Sequence, residues 1–186
     1  MAYIAAMPII AGIALFLLTV ALMEGFAYAM HRWVMHSRLG WFLHKSHHSE
    51  RNGWFELNDL YAVIFAVPSI LLIFGGAALG WGDWAVWVGA GVAAYGAVYF
   101  GFHDVIVHSR VAHRIVPRSR YFKRIVQAHK LHHAVESREG AVSFGFIYAP
   151  SVERLKRQLA GSRSAQVRAP RGRRADASTG RHAEKA

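Results

Sequence analysis

Three long stretches of the chain carry no charged residue, and they predict its architecture. The first runs from Met1 to Met23, ahead of the first ionisable side chain, Glu24, and its apolar character continues to Met30. The second covers Tyr61 to Gly82 and the third Trp84 to Phe102. Each is close to the ~20 residues with which an α-helix crosses the hydrocarbon core. Only Gly80-Trp81-Gly82-Asp83 breaks the last two, which are therefore expected to form a helical hairpin. Gly89, Gly91, Gly96 and Gly101 punctuate the third run, as expected where membrane helices approach closely. The fold class predicted is an all-α integral membrane protein with three transmembrane helices. A fourth, shallow element over residues 141–150 (AVSFGFIYAP) is expected to lie in the interface; it would make four spans if it crossed. A secretory signal would open with Lys or Arg and end on a small-residue cleavage site. The first run shows neither clearly and reads as a retained membrane helix. Continued to Met30, it overshoots a core of roughly 30 Å at about 1.5 Å per residue, which places His31 near the interface.

The polar segments between the runs are basic. Arg32, Arg38, Lys45 and Arg51 follow the first run; Arg110, Arg114, Arg118, Arg120, Lys123, Arg124 and Lys130 follow the third. The hairpin turn and the start of the chain have none. The positive-inside rule then predicts an outside amino terminus and a cytoplasmic carboxyl terminus. The net charge of +11 would also suit nucleic acid, but its confinement to these segments favours anionic lipid. From about Gly161 the chain turns small, polar and basic, so residues 1–160 are expected to be the membrane domain and 161–186 a disordered tail.

The chemistry is carried by histidine. The chain has no cysteine, which excludes disulfides, thiolate zinc sites, iron–sulfur clusters and cysteine nucleophiles. Of its twelve histidines, ten fall into four boxes: His31 and His36 as H-x4-H, His44, His47 and His48 as H-x2-H-H, then His103 and His108, and His129, His132 and His133. Imidazole suits iron, zinc, copper and nickel. Ten imidazoles are too many for one ion; they suffice for two ions with about five nitrogens each and a position left open. All four boxes fall on the predicted cytoplasmic side. An internal echo supports two half-sites: Met35-His36-Ser37-Arg38 resembles Val107-His108-Ser109-Arg110, and Glu50 with Gly53 matches Glu136 with Gly140.

On a helix turning about 100° per residue, His44, His47 and His48 can converge on one face, as can His129, His132 and His133. The H-x4-H spacing is less favourable, since it separates side chains by about 140° on an ideal helix. Those pairs flank one metal, serve different metals, or sit where the helix unwinds. His113 fits no box and is expected in a solvent-facing loop; His182 lies in the tail. Glu24, Tyr28 and His31 share one helical stripe. An acid within a span is a functional candidate, here as an acceptor orienting a ligand imidazole, or else as part of a polar bundle interior. Asp104, beside His103, is a candidate for the same orienting role. Asn58 and Asp59 are expected to cap the second span. Tyr28, Tyr95 and Tyr99 are candidates for lining a substrate channel, with aromatic packing as the plainer reading.

The segments HRWVMH, HKSHH, NDLYAV, AYGAVYFGFHDVIVH, AHKLHHAVESREGAVSFGF and YAP, spread from the first span to Pro150, resemble the fatty-acid hydroxylase and sterol desaturase superfamily of histidine-rich membrane di-iron enzymes. Within it they are most similar to the branch of bacterial β-carotene hydroxylases. The resemblance implies two non-haem iron ions held by the ten box histidines. It implies O2 as co-substrate, with electrons from a ferredoxin-type donor and ultimately NAD(P)H. It also implies hydroxylation of the carotenoid β-ionone ring at carbon 3, taking β-carotene through β-cryptoxanthin to zeaxanthin, or canthaxanthin towards astaxanthin. The alternatives are a fatty-acid or sterol hydroxylase or desaturase, or a carotenoid ketolase, of the same di-iron class. Outside that class, a metal or proton transporter would place its ligands near the bilayer midplane, whereas these gather at one end. A haem-binding electron carrier would not need ten ligands.

Overall fold

The computed structural model describes residues 7–49, 53–162 and 166–167. Glu50, Arg51, His182 and most of the expected tail lie outside these. Helix α1 (Ile9–Ala29) passes without a break into a π-helical turn, Met30–Met35. A short α2 (Trp41–His44) tightens into a 3₁₀ turn, Lys45–His48. Then follow α3 (Asp59–Ala78) and α4 (Asp83–Tyr99), the latter extended by a π-helical stretch, Phe100–Val107. Two amphipathic helices follow among the described residues, α5 (Arg120–His133) and α6 (Val152–Gly161).

With their extensions, α1 and α4 are 27 and 25 residues long and α3 is 20, all apolar enough to cross a membrane. Their outer surfaces stay uncovered by protein: Ile10 is 79% exposed, Leu22 64% and Ile70 62%. Helices apolar all round belong in lipid. Pro68 lies inside α3, a position that membrane helices tolerate. The α3–α4 hairpin closes through Gly80 (φ 72°) and Gly82 (φ 97°), left-handed positions that suit glycine.

Helix α4 packs against both α1 and α3. Two of the four glycines singled out make this possible. A Cβ at Gly89 would lie 2.8 Å from Ser69 O on α3, and one at Gly91 would lie 2.7 Å from Thr19 Cβ on α1. The Ser69 hydroxyl donates to Gly89 O at 2.8 Å, a buried hydrogen bond across the hairpin. Gly96 and Gly101 meet nothing within 4 Å, so the expectation of close packing fails for them.

The carboxyl ends of α1 and α4 and the amino end of α3 share one end of the bundle, opposite the hairpin turn. Helices α5 and α6 assemble there on a small core of Ile125, Ala128, Val142, Ala149 and Leu155. Ser119 and Ser151 cap them by accepting from the amides of Phe122 (3.2 Å) and Arg154 (3.3 Å). Residues 141–150 form neither a helix nor a fourth span. They make an irregular strap, with Ser143 at φ 60°, folded over the histidine end of the bundle. Of the tail, Val167 pairs with Val135, and Gln166 O accepts from the Glu136 amide at 2.9 Å.

Gly91→Val should destabilise the bundle by about 1–3 kcal/mol, the usual range for overpacking. Gly96→Val, into open space, should cost much less. Thermal unfolding in detergent measures both, and equal losses would contradict the packing described.

Candidate metal centre

The H-x4-H pairs sit in the two π-helical stretches, and that resolves their awkward spacing. A π turn hydrogen-bonds residues five apart. The His36 amide donates to His31 O at 3.2 Å, and the His108 amide to His103 O at 3.0 Å. Each pair is thereby brought onto one face, with ring centroids 5.3 Å apart for His31 and His36 and 4.5 Å for His103 and His108.

The ten box histidines gather into two sets of five. His31, His36, His44, His48 and His132 form one; His47, His103, His108, His129 and His133 form the other. Within each set one ring nitrogen per residue lies within 4.8 Å of all the others. The H-x2-H-H boxes therefore do not each converge on one site, as their shared face had suggested. The outer pair of each box serves one set and the middle histidine crosses to the other: His47 joins the set of His129 and His133, and His132 joins that of His44 and His48. Helical geometry explains this for α5. Residues four apart differ by about 40°, while adjacent His132 and His133 differ by about 100° and must aim at different centres.

The hydrogen bonds behind the rings fix their chemistry. In the first set every Nδ1–H donates to an oxygen: His31 to Phe144 O (3.0 Å), His36 to Arg138 O (2.8 Å), His44 to Asn58 Oδ1 (2.6 Å), His48 to Val135 O (2.7 Å) and His132 to Val142 O (3.0 Å). Carbonyl oxygens only accept, so Nδ1 carries the proton and Nε2 is a bare lone pair. Yet these Nε2 atoms face one another, at 3.2 Å for His31 and His44, 3.2 Å for His44 and His48, 3.2 Å for His48 and His132, and 3.3 Å for His36 and His132. Two lone pairs cannot hydrogen-bond. A cation between them converts the repulsion into ligation, and metal–imidazole bonds of about 2 Å span a cluster of this size. In the second set His47 Nδ1 donates to Glu56 Oε2 at 3.0 Å, and His47 Nε2 faces His103 Nε2 at 3.0 Å. His133 Nε2 is buried there with no hydrogen-bond partner among the described residues. The donor set and its orphaned nitrogens fit a metal ion in each cluster.

Burial strengthens the case. Desolvation lowers the imidazole pKa of His36 from its ordinary value, and lowers those of His44, His47, His129, His132 and His133 well below it; neighbouring imidazoles add to the effect for these five. The neutral, ligating form is thus favoured.

The acids and tyrosines divide differently from expectation. Glu24 orients no imidazole. Its Oε1 accepts from the amides of Phe146 (3.0 Å), Ile147 (2.9 Å) and Tyr148 (3.1 Å), and its Oε2 from the Tyr95 hydroxyl (2.8 Å). It clasps the strap. Gly145 allows this, since a Cβ there would lie 2.9 Å from Glu24 Oε1. Asp104 Oδ2 lies 3.5 Å from His103 Nδ1, too far for a good hydrogen bond, and its Oδ1 takes Arg110 Nε at 3.1 Å. Asn58 stands at the N-cap position of α3 and Asp59 in its first turn, but neither side chain makes a capping hydrogen bond: Asn58 serves His44, and Asp59 Oδ1 takes Arg110 Nη2 at 2.7 Å. Tyr95 and Tyr99 line an apolar cavity of about 400 Å³ between α1, α3 and α4, whereas Tyr28 does not; it accepts from Arg32 at 2.7 Å and packs on Trp33 and Phe144. His113 joins neither set, and its Nδ1 accepts from the Ile115 amide at 3.1 Å; it is only partly exposed, less open to solvent than expected.

Sequence reasoning missed Glu56, Arg110, Phe144 and Phe146. Arg110 had been counted only as a basic loop residue, yet it links Asp59 and Asp104, with Glu56 at 3.5 Å. The fatty acid hydroxylase family profile matches residues 16–155. The β-carotene hydroxylase of Paracoccus sp. (strain PC1) is 52% identical over 141 residues, covering 76% of this chain and 86% of that one. The β-carotene hydroxylase of Pantoea ananas is 48% identical over 158 residues, covering 83% and 88%. The chloroplastic β-carotene 3-hydroxylase of Haematococcus lacustris is 37% identical over 138 residues, covering 69% of this chain and 40% of its own length. No solved structure matches the chain at a significant level.

Asn58→Leu removes the acceptor behind His44 and should weaken metal binding about 10–100-fold, with Asn58→Asp restoring part of it. Chelator competition measures this; unchanged affinity in Asn58→Leu would remove Asn58 from the site. For the metal-free protein in detergent, the unfolded chain takes up protons near the ordinary histidine pKa of about 6.5, while the folded clusters resist until lower pH. Stability should therefore be level above that value and fall as the pH drops below it, as followed by thermal unfolding across a pH series.

Proposed function

The chain belongs to the fatty acid hydroxylase family, and we propose that it is a membrane monooxygenase that hydroxylates the β-ionone ring of carotenoids at carbon 3. The observation that carries the reading is the pairing of two five-imidazole sets with an apolar cavity at their side. Carbon 3 is an unactivated methylene, out of reach of acid–base catalysis. Two iron ions, held by His31, His36, His44, His48 and His132 and by His47, His103, His108, His129 and His133, would supply the one-electron and O2 chemistry that such a carbon requires.

The protein's own part is placement. The Nδ1 acceptors hold each ring with its lone pair inward. Phe144 and Phe146 exclude water: Phe144 packs edge-on against His31, His36 and His132, and Phe146 lies flat on His31. The cavity's hydroxyls are already engaged, Tyr61 with Gly40 O at 3.1 Å, Ser69 with Gly89 O, Tyr95 with Glu24 and, more loosely, Tyr99 with His103 Nε2 at 3.4 Å, which suits a hydrocarbon ligand. The names and identity of the Paracoccus and Pantoea relatives support the ring as the target. On this reading β-carotene passes through β-cryptoxanthin to zeaxanthin, and canthaxanthin is converted towards astaxanthin.

Electrons would come from an acidic, ferredoxin-type carrier. The exposed Arg114, Arg118, Arg120, Lys123, Lys130 and Lys156 at the histidine end would attract such a partner as well as anionic lipid. The same residues favour a cytoplasmic histidine end in the inner membrane of a bacterium, with the amino terminus outside.

Expression in a bacterium that accumulates β-carotene should yield hydroxylated pigments, identified by chromatography and mass. Replacing any one of the ten box histidines by Ala should abolish or severely reduce them, whereas His113→Ala and His182→Ala should be mild. Untouched β-carotene beside folded, iron-loaded protein would sink the carotenoid reading and point to ketocarotenoid or acyl-lipid substrates. Full activity in His132→Ala would sink the ligand assignment.

A further inference from the structure

None of the ten imidazoles belongs to the wall of the cavity. Met35, Asn58 and Asp104 form part of the wall between them, and the aromatic rings of Tyr99 and Phe146 form the rest of it. Phe146, 8% exposed, lines the cavity and on its other side touches both histidine sets, with ring centroids 5.5 Å from His31, 5.4 Å from His103 and 5.9 Å from His129. Tyr99 lines the cavity beside it, 4.6 Å from Phe146 in edge contact, and stacks on His103 at 4.4 Å. Phe146 is also the residue at which the strap is most tightly held: its own amide and the next two all donate to Glu24 Oε1. Its backbone is therefore fixed to α1, and only its side chain is free to yield.

We propose that Phe146 is the specificity-determining residue of this site, the wall that sets how far a ligand in the cavity advances towards the two histidine sets. The inference rests on the reading of those sets as a metal centre for carotenoid end groups. At about 400 Å³ the cavity lies at the small end of ligand sites, which run to roughly 1,000 Å³. It suits one terminal ring and the start of its chain, with the rest of a long polyene left among lipid tails. The depth of the ring against Phe146 then selects which of its carbons comes nearest the metals. Glu24 and Tyr95 are positioning residues, acting through the strap.

The test uses the full-length, iron-loaded protein in detergent and its variants Phe146→Leu, Phe146→Ala and Phe146→Trp. Iron content, measured first, shows which variants are folded and loaded; Phe146→Leu keeps the series informative if Phe146→Ala is not. The rate of iron extraction by 1,10-phenanthroline, a flat apolar chelator, is compared with that by EDTA, which is too charged for an apolar cavity. Extraction by phenanthroline should rise severalfold from the parent through Leu to Ala and slow in Trp, while the EDTA rates stay level. In cells making β-carotene, the smaller side chains should shift hydroxylation among ring positions. Parent-like phenanthroline rates throughout, or a parent-like product pattern in a loaded Phe146→Ala protein where the parent is active, overturn the proposal. If the parent leaves β-carotene unchanged, the carotenoid reading fails by itself, and the chelator series still decides the role of Phe146.

Discussion

Ten buried or half-buried imidazoles crowded ring to ring into two sets is the constraint on which the rest of this structure depends. Lone pairs 3.0–3.3 Å apart repel, and burial removes the water that would screen them. The fold accommodates this by holding the rings from behind. Four of the five acceptors in the first set are main-chain carbonyls, contributed by Val135, Arg138, Val142 and Phe144. A side chain can be lost to one mutation; a carbonyl moves only if its segment moves. The imidazoles are thereby tied to the path of the loop after α5, and their geometry depends on a strap that contributes no histidine of its own.

That dependence gives Glu24 its meaning. A carboxylate within a span is costly unless fully engaged. Here it takes three strap amides and a tyrosine hydroxyl, which replaces the solvation it has lost. The clasp also joins the membrane bundle to the histidine end: α1 supplies Glu24 and its π-helical extension His31, and the strap supplies the acceptors of His31 and His132 together with Phe144 and Phe146. The second set is backed instead by charge, with Glu56 behind His47 and with Asp104, paired to Arg110, beside His103. The two sets therefore differ in electrostatics despite matching sequence boxes. Carboxylates raise the basicity of a ligand imidazole more than carbonyls do.

The π-helical stretches are the other economy of the design. An H-x4-H spacing on an α-helix splays its rings, and a helix that unwound inside lipid would leave backbone groups unpaired. Hydrogen-bonding five residues apart keeps the backbone satisfied and brings both rings round to one face. It does so at the ends of α1 and α4, where each span hands over from lipid to the two histidine sets.

The sequence by itself determined the spans, the helical hairpin, the absence of thiol chemistry and the ten histidines, because these rest on local composition and spacing. Apolar runs of sufficient length have one stable form in lipid, and repeated imidazole boxes have few uses other than metal. Tertiary structure alone decided how the boxes divide. His47 and His132 cross to opposite sets because adjacent helical positions diverge in direction, and which centre each meets depends on how α2 and α5 face one another. It likewise gave the side chain of Asn58, at the N-cap position of α3, to His44, turned Glu24 from a candidate ligand support into a clasp, and made residues 141–150 an irregular strap over the two histidine sets. Each of those roles lies in a contact between residues distant along the chain, such as Glu24 with Phe146 or His36 with Arg138, and no local pattern records them.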